Sequence, residues 1–366
     1  MNHISNSISQ RHSMTSKTSS IVFAIALVVI CFTNASAQGA APKPCFDFYG
    51  SGRTSFATVN ESGDNYLWRL RNNGGAGEDT VFWGLTATDI PTPGYFDADN
   101  RADIGVWREG AQAFYYVRRS APSAPPSSLL ATQWGTTGDF PTREADYDGD
   151  GRDDPTVLRR VNGRWNWFVL RSSNNTFAAA VFGIGDGSLF EDVPLPGADY
   201  TGDGRAEIGV IRPNLFGGDT YFIGDVNTGA VVLAQPWGEL FTDVFMTGDY
   251  LGDSRADFTV WRGLISPLGN GNGFWYVQEN GGNNRIIVQF GIPSSQEQIN
   301  DIPVCGDYNG DGKSDIAVYR YTNNTFYWLN SPSLTSIGGQ QLGQPGDLPV
   351  GAVKATAIIS AFSSFR

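Results

Sequence analysis

From residue 45 onward, hydrophobic and polar positions alternate in short runs such as "IGVWR" (104–108), "IAVYR" (316–320) and "GFWYVQ" (273–278). Each run is bounded by Gly, Pro, Asn or Asp. Period-two alternation in β-branched and aromatic segments predicts strands, and no stretch carries a helical period. The runs follow a fixed order. An acidic loop leads into an alternating strand, and an aromatic-rich run comes next, such as "AFYYVRR" or "RWNWFVLR". A third run ends in Gly, as in "VFWG", "TQWG" and "VQFG". A fourth returns to the loop through an Asp-x-Pro turn, as in "DIP", "DFP" and "DVP".

This set recurs about every fifty residues. Counting the first ligand-like place as position 1, the six acidic loops open at Asp47, Tyr95, Asp146, Asp199, Asp249 and Asp307. The closing stretch 348–366 aligns without a gap to 302–320, has lost every acid and keeps the terminal arginine, Arg366. Four-stranded units in this arrangement predict an all-β fold, a β-propeller, which manages sheet edges by closing into a ring. Six repeats are complete, and the partial seventh supplies only its first two strands. A six-bladed ring whose last strands close against the first blade is therefore favoured over a seven-bladed one. No linker or composition shift divides residues 45–366, which read as one domain.

The N-terminus is of another kind. Polar residues 1–20 carry Arg11 and Lys17 and precede the apolar run "IVFAIALVVICF" (21–32), with small residues at Ala35 and Ala37. This is a secretory signal pattern over residues 1–37, cut after Ala37, with 38–44 left as a short N-terminal segment. Twelve apolar residues are too few to cross a bilayer as a helix. No later run is long enough either, so the mature chain is expected to be exported, without a membrane span, and to be secreted or held at the cell surface.

Removal of that segment changes the inventory. Both histidines, His3 and His12, leave with it. A His general base, a His-containing triad and a His-ligated zinc are thereby excluded. The full chain has a formal charge of −12, and losing Arg11 and Lys17 makes it more acidic, which disfavours nucleic acid and anionic membrane as partners. The remaining thiols, Cys45 and Cys305, each stand two residues before position 1, in the first and sixth units. Those units are neighbours in a six-membered ring, so a closing disulfide is one reading. Two buried free thiols are favoured, because that reading does not require inner strands of adjacent blades to come within bridging distance.

The acidic loops carry the chemistry. "DYDGDGRDD" (146–154) packs five aspartates into nine positions. Asp146, Asp148, Asp150 and Asp154 fall at positions 1, 3, 5 and 9, where alternate residues of a tight turn point to one interior. The carbonyl of Arg152 at position 7 completes the shell, and Gly151 at position 6 permits the bend. An all-oxygen cage of several carboxylates suits Ca²⁺. It is not an EF-hand, because position 12 is Val157 and a strand follows.

The other copies vary. Asp307, Asn309, Asp311 and Asp315 keep all four side-chain oxygens, with Lys313 at position 7. Asp97, Asp99 and Asp103, with Arg101, stand beside a non-ligating Tyr95. Asp199, Asp203 and Glu207, with Arg205, keep three acids, and Thr201 stands at position 3. Asp249, Asp253 and Asp257 keep three, but Leu251 cannot ligate and Ser254 replaces the turn glycine. The first copy retains Asp47 with Ser51 and Ser55 and is expected to bind weakly or not at all.

The repeat resembles the FG-GAP/VCBS family, propeller repeats with DxDxDGxxD calcium loops that also build the integrin α-subunit head. The resemblance spans residues 45–366 in six copies. It implies a secreted or cell-surface propeller with structural calcium. Adhesion proteins, lectin-like binders and non-catalytic modules of enzymes all use it, so it implies fold and metal rather than role.

Several other positions recur. An arginine ends the strand after the loop at Arg108, Arg159, Arg212, Arg262, Arg320 and Arg366, and an aspartate opens the preceding turn at Asp89, Asp139, Asp192, Asp243, Asp301 and Asp347. A structural pair or turn cap repeated around the ring accounts for both. Trp83, Trp134 and Trp237 interchange with Phe and Leu, which marks packing. Trp107, Trp165, Trp167, Trp261, Trp275 and Trp328 lie on strands that alternate faces, and exposed members would suit stacking on a sugar.

Three readings of function follow. The first is a non-enzymatic, calcium-stabilised extracellular binding or adhesion module with a protein or glycan partner. The second is a carbohydrate-binding lectin with pockets between blades. The third, a polysaccharide-active enzyme, would need an acid pair that departs from the repeat, and the outliers Glu61, Glu109, Glu144 and Glu239 fall where turns are expected.

Overall fold

The computed structural model describes residues 43–350, apart from 121–128, 143–144, 189, 215–217, 240–241, 264–271 and 294–299. The signal segment, Glu144 and Arg366 lie outside the described residues. The described residues form six four-stranded antiparallel sheets, the blades of a six-bladed β-propeller, and no helix.

The fifth blade shows how one unit builds. Its inner strand Asp243–Met246 pairs with Phe258–Arg262, then come Phe274–Gln278 and the outer strand Arg285–Gln289. The Asp-x-Pro run is therefore the innermost strand, and the acidic loop joins it to the second. The inner strand is buried throughout, whereas the outer one alternates between buried and exposed. Strands covered on both faces read as near-continuous hydrophobic runs, and period two survives where one face is wet.

The partial seventh repeat does not start a seventh blade. Leu348–Pro349 supplies the missing inner strand of the first blade, pairing Pro349 with Thr58 and Leu348 with Val59. Among the described residues this last strand closes the ring on the first blade, and the blades keep only short edges.

Cys45 and Cys305 are bonded, with sulfurs 2.09 Å and Cα atoms 6.1 Å apart, which corrects the expectation of free thiols. Cys45 precedes the first acidic loop, and Cys305 follows the inner strand of the sixth blade. The bridge therefore spans two loops that converge at the ring seam, where no inner-strand spacing has to be crossed.

The recurrent aspartates and arginines pair within blades. Arg108 meets Asp89, Arg159 meets Asp139, Arg212 meets Asp192, Arg262 meets Asp243 and Arg320 meets Asp301, at 2.5–2.8 Å. Each carboxylate also accepts a backbone N–H from the end of the preceding blade's outer strand or the turn just after it, as Asp301 does from Ile292 at 2.7 Å. The first blade has Asn60 in the arginine's place, and Asp347 instead takes Arg69, from the neighbouring strand, at 3.0 Å.

Five of the six tryptophans singled out for a sugar-facing role are buried in the blades, and Trp328 is half-buried with its ring stacked on Tyr308. Trp107, Trp165, Trp167, Trp261 and Trp275 are buried, so they offer no surface for a sugar. Four of those indoles donate to backbone carbonyls: Trp107 to Trp134, Trp165 to Asp192, Trp167 to Phe182 and Trp261 to Phe290, at 2.9–3.0 Å. Trp83 and Trp134 donate across to the next blade, to Tyr116 and Phe168.

Candidate metal centre

Where position 1 is an aspartate, it organises the loop. Asp146 accepts the N–H groups of Gly149 at 2.6 Å, Asp150 at 3.1 Å and Gly151 at 2.7 Å. Asp199, Asp249 and Asp307 repeat the same three bonds. The turn this creates is left-handed at position 6, with φ of 85° at Gly151, 83° at Gly204 and 83° at Gly312. Asn100 and Ser254 occupy the same conformation at 60° and 67°. A side chain there is strained, which is why glycine predominates.

Position 9 closes the loop from the far side. Asp154 accepts the N–H of Tyr147 at 2.9 Å and that of Ser172, beyond the third strand, at 2.7 Å. Asp315 does the same with Tyr308 and Ser331, both at 2.8 Å. Position 5 caps position 7: Asp99, Asp150, Asp203, Asp253 and Asp311 accept the N–H of Arg101, Arg152, Arg205, Arg255 and Lys313.

Two loops bring three acids together. Asp146, Asp148 and Asp154 place carboxylate oxygens within 4.8 Å of one another, as do Asp199, Asp203 and Glu207. In each set positions 1 and 9 are buried. The third member differs. In the loop at 146 it is Asp148, because Asp150 turns to the Arg152 guanidinium and the Ser172 hydroxyl. In the loop at 199, Asp203 joins, since position 3 is Thr201, whose hydroxyl donates to Glu207 at 2.9 Å.

Among the described residues, the remaining loops do not reach this convergence. Asp97 lies 3.5 Å from Arg119, beside Asp99 and Asp103. Asn309 donates to Asp311 at 3.1 Å, between Asp307 and Asp315. Leu251 offers no oxygen between Asp249, Asp253 and Asp257. Tyr95 serves a different purpose. Its hydroxyl donates to the Pro44 carbonyl at 2.7 Å, and its ring lies beneath Lys43. It anchors Lys43 and Pro44, which sequence spacing alone did not reveal.

Crowding like charges in a buried site penalises ionisation. Burial pushes Asp154 up to about 8, Glu207 and Asp315 up to about 7, and Asp146 up to about 6, opposed by their backbone hydrogen bonds. Asp103 and Asp257 are raised to about 7 and about 8 for the same cause. A cation among these oxygens would relieve that penalty, and an all-carboxylate, hydroxyl and carbonyl donor set fits a hard ion.

Contacts between neighbouring loops form a closed circle. The position 8 N–H of each loop donates to the position 1 carbonyl of the one before: Thr54 to Asp307, Ala102 to Asp47, Asp153 to Tyr95, Ala206 to Asp146, Ala256 to Asp199 and Ser314 to Asp249, all at 2.7–2.8 Å. Glu61, Glu109 and Glu239, which depart from the repeat, are exposed. No family model matches the chain, and no curated protein matches it.

Proposed function

We propose that the protein is an exported, non-enzymatic calcium-binding propeller of the FG-GAP/VCBS type, acting as an extracellular binding or adhesion module for a protein or glycan partner. The observation that carries the calcium reading is the convergence of Asp146, Asp148 and Asp154 in a loop whose Gly149 and Gly151 N–H groups donate to Asp146. The set at Asp199, Asp203 and Glu207 repeats it one blade away. Calcium bound there would offset carboxylate repulsion and fix the loops, a structural role. Export agrees with the signal pattern and with a disulfide, which persists in oxidising compartments.

The test is the melting of residues 38–366 in calcium and in EDTA. A site occupied at one hundred times its Kd adds about 2.7 kcal/mol of stability. An unchanged melting temperature at saturating calcium would sink the metal reading. A glycan array in calcium then separates partners: selective binding makes the ligand a glycan, and a blank array from folded protein directs the search to protein partners.

A further inference from the structure

We infer that the loops at 146 and 199 bind calcium cooperatively, each raising the other's affinity. The inference rests on the calcium reading above and adds how the two sites communicate. Asp146 has two roles. Its carboxylate belongs to one acidic set, and its carbonyl accepts the Ala206 N–H at 2.7 Å. Ala206 immediately precedes Glu207, the position 9 carboxylate of the neighbouring set. The Arg205 stem also lies against Gly149, its Cγ 3.2 Å from where a Cβ there would stand. Fixing Asp146 around an ion therefore holds the backbone that presents Glu207. Fixing Glu207 likewise holds the donor that anchors Asp146. The ordering cost met by the first ion is not met again by the second, which makes the coupling positive.

The choice of variants follows from the same contacts. Asp148 is partly exposed and Asp203 exposed, and neither side chain takes part in the bonds between loops, so each can be neutralised with the circle intact. The experiment is a calcium titration of the mature chain followed by hydrogen exchange in peptides covering 145–155 and 198–208. In Asp203→Asn the protection midpoint of 145–155 moves to about fivefold higher calcium, the low end of measured couplings. In Asp148→Asn the 198–208 midpoint moves by the same factor, because linkage is reciprocal. Asp311→Asn, in the loop of the sixth unit and not adjacent to the third, leaves the 145–155 midpoint in place.

Midpoints indifferent to the neighbouring substitution would overturn the coupling while leaving the calcium reading intact. An equal shift from Asp311→Asn would also overturn it, since the effect would then be global. Absence of calcium-dependent protection in both wild-type peptides would remove the calcium reading itself.

Discussion

Thr54 and Asp307 hold each other in both directions across the ring seam. The Thr54 N–H donates to the Asp307 carbonyl at 2.7 Å, and the Asp307 N–H donates to the Thr54 hydroxyl at 2.8 Å. They are 253 residues apart in the chain. Thr54→Val keeps the shape but strands the buried Asp307 N–H, at a cost of about 1–3 kcal/mol. Urea denaturation should show the lower midpoint, and wild-type behaviour would mean the seam does not depend on this bond.

The disulfide secures the same seam over a sequence separation of 260. Cross-linking so long a loop restricts the unfolded chain strongly. Replacing both cysteines by alanine should cost about 2–5 kcal/mol. Guanidinium titrations of the variant and of the parent check this, and coincident curves would refute it.

The buried Asp–Arg pairs predict an asymmetry. Asp301 is 2% exposed and bonds both Arg320 and the Ile292 N–H. The Arg320 side chain is 26% exposed and stacks over Tyr327. Arg320→Ala leaves a fully buried carboxylate without its counterion and should cost about 3 kcal/mol, whereas Asp301→Ala strands only the Ile292 N–H, since the Arg320 head can turn to water, and should cost about half of that. Equal losses in denaturation would show that the buried charge is not what the pair relieves.

Ser254 offers the opposite sign. It sits at φ 67° where the other loops carry Gly or Asn, and Ser254→Gly should stabilise by about 1 kcal/mol by removing left-handed strain. Thermal melting in EDTA measures this free of metal effects. A lower melting temperature would contradict it.

The acidic loops also predict a pH profile. Unfolded carboxyl groups titrate near 4 (about 3.9–4.3), but in the fold Asp154 and Asp257 are pushed up to about 8, and Asp103, Asp315 and Glu207 to about 7. Between those limits the folded state holds more protons than the unfolded one. Metal-free stability therefore falls as pH rises from about 4 toward about 8. Calcium favours the ionised form and should flatten the decline. Melting across this range in EDTA and in calcium tests it, and a metal-free curve rising with pH would refute it.

The repeat made much of this legible. Each strand and loop is specified by side-chain alternation, Gly and Asp spacing within about fifty residues, and six copies average out local noise. Left-handed backbone at position 6 was readable because glycine stands there in most copies. The role of Tyr95 was not readable, since its partner Pro44 lies ahead of the first repeat.

Taken alone, the sequence determined the strand pattern, the propeller and the positions of the acids, because local backbone preferences and period-two burial are written in adjacent residues. Tertiary structure alone decided which blade meets which, that Cys45 finds Cys305, and that Asp347 takes Arg69 in place of an arginine the first blade lacks. It also decided which acids converge. Asp150 and Asp203 share position 5, yet Arg152 and Ser172 draw Asp150 away while Asp203 joins its set. Spacing brings a carboxylate to the loop. Which way it turns depends on the charges and hydroxyls that folding gathers around it.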